Sequence, residues 1–209
     1  MCSFRLVDRD YKLMKEVDRW RCVNGAQLCA LAGFPSQRTC DRRLKILLEA
    51  GYITRKKILY GVPYLYFLTS KGQTLIHVQG AIKKVKIEQI VHDLEVVNTA
   101  VYLNKVKGIP YSDMTTEIEL HRQDGFSNRK HRPDLIYSME EKKTCVEVEL
   151  TLKAKGRFLK NIEDNFMGYD MQLWIVPDKE NKIATFLQDY QTKYINIEIL
   201  ELKEVQKHA

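Results

Sequence analysis

The chain has 209 residues, 44% of them hydrophobic and 29% charged, an ordinary composition with room for one large or two small domains and no low-complexity segment. No apolar run approaches the roughly 20 residues that span a bilayer, and the N-terminus lacks the apolar core of a signal peptide. A cytoplasmic location without a membrane partner is therefore expected. The net charge of +7 is uneven: residues 1–80 carry 14 Lys and Arg against 6 Asp and Glu, whereas residues 81–209 carry 20 against 21. Basicity confined to the first third suggests a nucleic-acid-binding module there, with a merely solvated basic surface as the alternative.

In chain order, Asp8 to Trp20 has helical spacing, with Tyr11, Leu13, Met14, Val17 and Trp20 forming an apolar stripe. Gly25 to Ala32 suits a second helix, and Gly33-Phe34-Pro35-Ser36 a turn in which Ser36 caps the next helix. That third helix, about Gln37 to Ala50, buries Leu44, Leu47 and Leu48 and ends at Gly51. A hairpin is expected from Tyr52–Leu59 and Tyr64–Leu68 around Tyr60-Gly61-Val62-Pro63, and then a helix starting at Thr69 or Ser70. Three helices and a basic-edged hairpin make a winged helix-turn-helix. The five cysteines (Cys2, Cys22, Cys29, Cys40, Cys145) show no C-x-x-C spacing and are read as reduced thiols.

That chemistry suits DNA. A recognition helix enters the major groove with its N-terminal residues leading, here Ser36, Gln37, Arg38 and Thr39, with Arg42 and Arg43 one turn on. Arginine and glutamine make bidentate contacts to guanine and adenine edges, and Arg55, Lys56 and Lys57 on the wing would meet phosphates. The alternative is a winged helix that mediates only protein contacts.

Residues 73–90 read as a basic, helix-prone connector with Lys83, Lys84 and Lys86, so the boundary is set near residue 80. A helix is expected over Ile87–Val106 and strands over Thr115–His121, Arg132–Ser138 and Thr144–Lys153. A helix over Gly156–Met167, a strand over Met171–Val176, a helix over Asn181–Thr192 and a strand over Ile195–Leu200 complete the order αβββαβαβ. A turn at Glu140-Glu141 pairs positions summing to 281, so Asp134 faces Glu147 and Arg132 faces Glu149. Two carboxylates converging on one face could hold a magnesium ion, which keeps most of its waters. The bland alternative is an ordinary cross-strand ion pair between Arg132 and Glu149, with Asp134 bonded to backbone or to Arg157. The segment Arg122–His131, with Arg122, Arg129, Lys130 and the adjoining Arg132, is a second basic stretch suited to DNA backbone or to solvent. His92, His121 and His131 share no metal-ligand spacing and read as surface or capping groups.

Pro133-Asp134 on one strand and Glu147-x-Glu149 on the next resemble the PD-(D/E)xK nuclease superfamily. Leu47-Leu48-Glu49-Ala50-Gly51-Tyr52-Ile53 and Tyr66-Phe67-Leu68-Thr69-Ser70-Lys71-Gly72 resemble winged helices. The whole chain, with His92-Asp93-Leu94 between the two parts, resembles the replication-relaxation family of bacterial plasmids, conjugative elements and phages. The resemblance implies an α+β or α/β chain: a winged helix over 1–80 and a mixed-sheet, nuclease-like domain over 81–209. By position, Asp134 and Glu147 would ligate Mg or Mn, with Glu95 as a third ligand. The superfamily lysine should stand where this chain has Glu149. Lys153, some 13 Å further along a straight strand at roughly 3.3 Å per residue, would be its migrated substitute. With Asp134 and Glu147 it would make up the catalytic set if the site is active.

The expected protein is thus a sequence-specific binder of double-stranded DNA acting in replication, transfer or transcription control, without a needed cofactor. A homodimer and contacts to other replication or transfer proteins are compatible with it. The alternatives are a divalent-metal-dependent endonuclease targeted by the winged helix, and a protein–protein adaptor.

Overall fold

In the computed structural model, which describes residues 5–78, 85–124 and 131–208, the first three helices form where the apolar stripes lie. Helix α1 (Asp8–Arg19) is started by Asp10, whose carboxylate accepts the Val7 N–H at 2.8 Å, and it buries Leu13, Met14 and Val17. Helix α2 (Gly25–Leu31) is capped by Asn24, which exchanges side-chain to backbone hydrogen bonds with Gln27 at 3.0 and 3.1 Å. It ends where Gly33 takes φ +68 and Phe34 N–H reaches back to Cys29 O at 2.9 Å. Helix α3 (Gln37–Glu49) starts at Ser36, whose hydroxyl accepts Thr39 N–H at 3.3 Å, and it buries Cys40, Leu44 and Leu47.

Strands β1 (Ile53–Lys56) and β2 (Leu65–Leu68) pair antiparallel from Ile53↔Leu68 to Lys56↔Leu65, and an isolated bridge, Asn24↔Leu65, extends the ladder. The hairpin is shorter than its hydrophobic pattern suggests. Ile58, Leu59 and Val62 leave the ladder and pack against Cys22, Leu65, Ile90 and Leu94. Burial outweighs two further rungs.

Helix α4 (Ser70–Leu75) interlocks with the end of α3. Tyr52 N–H bonds Leu47 O at 3.0 Å while Gly51 stands at φ +74. The Thr69 hydroxyl donates to Gly51 O at 2.7 Å, and the Lys71 ammonium donates to Ala50 O at 2.8 Å while lying over the Tyr52 ring. A cation at α3's last carbonyls complements the helix dipole. Gly72 sits so close that a Cβ there would lie 2.1 Å from Tyr52 O. The run from Leu47 to Gly72 that carries the winged-helix resemblance is thus one packed joint.

A 3₁₀ turn at Ile87–Gln89 leads into α5 (Ile90–Lys107). The chain divides into two compact units, residues 1–97 and 98–209, and the division falls inside α5 rather than at the change of charge near residue 80. The start of α5 belongs with the first unit because Asp93 pairs with Arg21 at 2.9 Å, Leu94 O accepts from Gln27 Nε2 at 2.9 Å, and Ile90 and Leu94 fill the Cys22 cluster. His92 Nδ1 also approaches Asp93, at 3.4 Å. His92-Asp93-Leu94 is therefore an anchoring motif.

In the second unit the described residues form a five-stranded mixed sheet in the order β3-β4-β5-β6-β7: β3 (Met114–Thr116), β4 (Leu135–Met139), β5 (Lys142–Val148), β6 (Met171–Val176) and β7 (Ile197–Glu201). The first three strands are antiparallel, and β5, β6 and β7 run parallel. Helices α7 (Lys155–Gly168) and α8 (Lys182–Gln191) bury Phe158, Ile162, Ile183 and Leu187 against Trp174 and Val176 of β6. The expected strand Thr115–His121 is mostly helix: β3 stops at Thr116, and α6 (Glu117–Asp124) comes next. Thr116 and Glu119 explain why. The Thr116 hydroxyl accepts Glu119 N–H at 3.3 Å, and the Glu119 carboxylate accepts Thr116 N–H at 2.8 Å. After β7 the chain forms a further helix, α9 (Leu202–Gln206). Lys83, Lys84, Arg129 and Lys130 lie outside the described residues, as does Cys2; Cys22, Cys29, Cys40 and Cys145 are free thiols.

Candidate functional site

Two groups of polar side chains stand out, one in each unit. In the first, the N-terminal half of α3 presents Gln37, Arg38, Asp41 and Arg42 to solvent. Arg38 and Arg42, one turn apart, have no side-chain partner among the described residues. Ser36 and Thr39 are joined hydroxyl to hydroxyl at 2.9 Å as the cap, and Gln37 donates to Asp41 at 2.7 Å. The hairpin continues this surface. Arg55 pairs across the ladder with Tyr66, and its guanidinium lies 4.7 Å from the centre of the Tyr64 ring. The Lys57 ammonium lies 5.9 Å from that ring and donates to Val62 O, while Lys56 is exposed beside them. Tyr66 and Gln37 both come within 3.6 Å of where a Gly25 Cβ would be, so hairpin and helix meet there.

Arg43 stands apart from this set. Its Nε donates to Asp10 Oδ1 at 2.5 Å, its Nη2 donates to Asp10 Oδ2 and, at 3.1 Å, to Arg5 O, and Asp10 is fully buried. The guanidinium fastens α3 to α1. Position 43 falls between Cys40, Leu44 and Leu47 on the inward stripe, so helical spacing already turned it toward the core.

In the second unit, β4 and β5 pair as Leu135↔Val146, Ile136↔Cys145 and Tyr137↔Thr144, and Glu140 and Glu141 form the turn with φ of 50 and 65. This is the expected register. A two-residue turn with both φ positive suits the twist of a hairpin but favours Asn and Gly. Here two glutamates accept it because a register slip would turn Val146 and Val148 out of the core. Strand β4 begins only at Leu135, however, and Asp134 accepts Val148 N–H at 2.8 Å through Oδ2. The ladder ends at Leu135↔Val146, so Arg132 and Glu149 do not form a strand pair, and Arg132 pairs with Asp124 at 3.3 Å. Strand β5 ends at Val148, the chain turns, and the Lys153 ammonium folds back to within 2.6 Å of Glu149 Oε2. The straight-strand separation of these two residues does not apply.

Glu147 points to the α7 side of the sheet and is almost wholly buried. His131 Nε2 meets its Oε1 at 2.6 Å, and Asn165 Nδ2 donates to the same oxygen at 2.9 Å. Burial disfavours a charged His131, but the hydrogen bond and charge of Glu147, with Asp134 and Asp164, outweigh it and raise the imidazole above its ordinary 6.5. Burial also raises the Glu147 carboxyl, and Asp134 adds to this against the pull of His131 and Asn165. The pair therefore holds a proton more tightly than either group would in water. Burial raises the Glu149 carboxyl against the pull of Lys153. Lys153 is opposed by burial yet raised overall by Glu149, Glu147 and Asp134.

These arrangements decide how well a divalent cation fits. Glu147 Oε1 is occupied by His131 and Asn165, Asp134 Oδ2 by a backbone N–H, and Glu149 by Lys153. Glu95 lies on α5 within residues 1–97. Among the described residues, no three His, Cys, Asp or Glu side chains gather as a metal-binding group. Each of the three carboxylates of Glu147, Asp134 and Glu149 thus already has a protein partner on at least one oxygen, which lowers what it can offer a divalent cation. The sequence matches no protein-family model, and no curated protein matches it. No helix among the described residues is long and apolar enough to cross a membrane.

Sequence reasoning read His131 as a surface or capping group and passed over Asn165. A signal was present: Asn161 and Asn165, one turn apart, interrupt the apolar stripe of α7 beside Phe158 and Ile162, and both are buried. Buried amides need partners.

Proposed function

We propose that this protein binds double-stranded DNA with sequence preference through residues 36–57, the first unit being a winged helix-turn-helix and α3 its recognition helix. The observation that carries the reading is one exposed surface bearing Arg38 and Arg42 on α3 and Arg55, Lys56 and Lys57 on the hairpin, with Asp41 as the acidic group among them. The Asn24↔Leu65 bridge supports it too, because it supplies the short third segment that ties a wing to the helices. The second unit, with its mixed sheet and Pro133-Asp134 beside Glu147, is nuclease-like and serves as a non-catalytic scaffold or partner-binding module. The resemblance to the replication-relaxation family suggests work on a bacterial mobile element, in replication, transfer or transcription control.

Titrating labelled duplexes with the full chain at several salt concentrations tests this. Four phosphate contacts, from Arg42, Arg55, Lys56 and Lys57, would give a slope of log affinity against log salt of about −3 to −4, at roughly −0.9 per contact. Replacing Lys56 and Lys57 by alanine should weaken binding to all duplexes alike. Arg38→Ala should also blur sequence preference, by about 1–3 kcal/mol per lost base contact. Unchanged binding after replacing all five cations would refute the reading. The endonuclease alternative draws on the closeness of Lys153 to Glu149 and its electrostatic coupling to Glu147 and Asp134; the occupied carboxylates argue against it.

A further inference from the structure

Tyr60, at the tip of the hairpin, is fully exposed, whereas Leu59 before it and Val62 two positions after it are partly buried. Ile58, Leu59 and Val62 lie against the Cys22, Leu65, Ile90 and Leu94 cluster, and the Lys57 ammonium closes the loop by donating to Val62 O. Gly61, at φ +78, turns the chain immediately after Tyr60. The ring is thus held out by a loop that is itself anchored. An anchored loop has little backbone freedom left to lose when the ring it carries meets a ligand, which favours binding.

The surroundings identify the ligand chemistry. Arg55, Lys56 and Lys57 are exposed three to five positions before the ring, and Arg55 and Lys57 both lie against Tyr64 at the base of the tip. An apolar protein groove would gain nothing from these cations, whereas a nucleic acid offers phosphates to them and a π-face to the ring. Bases inside an intact duplex already have both faces stacked on neighbours. An unpaired base has a free face.

We propose that Tyr60 is a stacking platform for an unpaired nucleobase, so that the hairpin recognises duplex DNA next to a single-stranded or distorted segment. This rests on the DNA-binding reading above. The test compares the full chain on an intact duplex with the same duplex carrying a three-nucleotide gap or a 3′ overhang, with 2-aminopurine in the unpaired position. The wild type should bind the gapped or overhanging DNA more tightly by about 5-fold to 140-fold, the span covered by stacking one base on an aromatic ring, with quenching of the 2-aminopurine. Tyr60→Ala should bring the affinity ratio near one and abolish the quenching, and Tyr60→Trp should retain both. A wild type with no preference, or a Tyr60→Ala variant that keeps it, overturns the inference while leaving the DNA-binding reading intact. Failure to bind either DNA overturns that reading, and this inference with it.

Discussion

Replacing Arg43 by alanine should destabilise the first unit while the same change at Arg42 should not. Asp10 is fully buried and receives the Val7 N–H and a two-point clasp from Arg43. Removing one partner of a buried pair costs about 3–5 kcal/mol, because a charge is left uncompensated. Two features reduce that here. The Arg43 side chain is 21% exposed, so water can follow it out, and Asp10 lies in the first turn of α1, where the helix dipole favours a carboxylate by about 0.3–1 kcal/mol. The expected loss is therefore about 2–4 kcal/mol, or roughly 8–32 °C in the unit's Tm at about 4–8 °C per kcal/mol. Each unit contains one tryptophan, Trp20 or Trp174, both buried, so urea unfolding of the first unit can be followed by Trp20 fluorescence in a Trp174→Phe background. Arg42→Ala should shift stability by less than about 0.5 kcal/mol, and Asp10→Asn added to Arg43→Ala should recover part of the loss, since an amide needs no counter-charge. If Arg43→Ala costs no more than Arg42→Ala, the clasp is not structural and Arg43 returns to the DNA-facing set.

The same geometry fixes other outcomes. His131 and Glu147 both have raised pKa values, so the folded state holds their proton more tightly than the unfolded chain. The histidine contribution is fully present below about pH 6.5 and is lost as pH rises through the higher folded value. Urea unfolding monitored by Trp174 in a Trp20→Phe background should show it falling toward alkaline pH relative to His131→Gln; parallel profiles would refute the coupling. Gly72→Ala should destabilise the first unit despite alanine's better helix propensity, worth about 1 kcal/mol, because its Cβ would meet Tyr52 O at 2.1 Å; a stabilised variant in the same Trp20 assay would show that α4 can move aside. Plasmid DNA incubated with magnesium or manganese should be nicked at the same background rate by wild type, Asp134→Ala and Glu147→Ala. Cleavage lost in both variants would make the second unit a nuclease and Lys153 its lysine.

Much of the local structure was legible before folding. The stripes of α1 and α3, the cap at Ser36, the glycines at 33 and 51, and the β4–β5 register all depend on residues within about four positions or on strict alternation. The Thr116-x-x-Glu119 box was equally local, and it was missed because a β-like composition outweighed a cap. Partner choice was a different matter. Arg43 holds Asp10 33 positions away, His131 reaches Glu147 across 16, and Lys153 turns back to Glu149 because β5 stops at Val148. Charge pairing depends on through-space distance and on how far water is excluded, and neither is determined by spacing along a chain. Sequence alone therefore established which residues could carry charge to a DNA surface or a carboxylate site. Tertiary packing decided that Arg43, His131 and Lys153 are held by buried carboxylates, and that Arg38, Arg42 and Lys56 stand open to solvent.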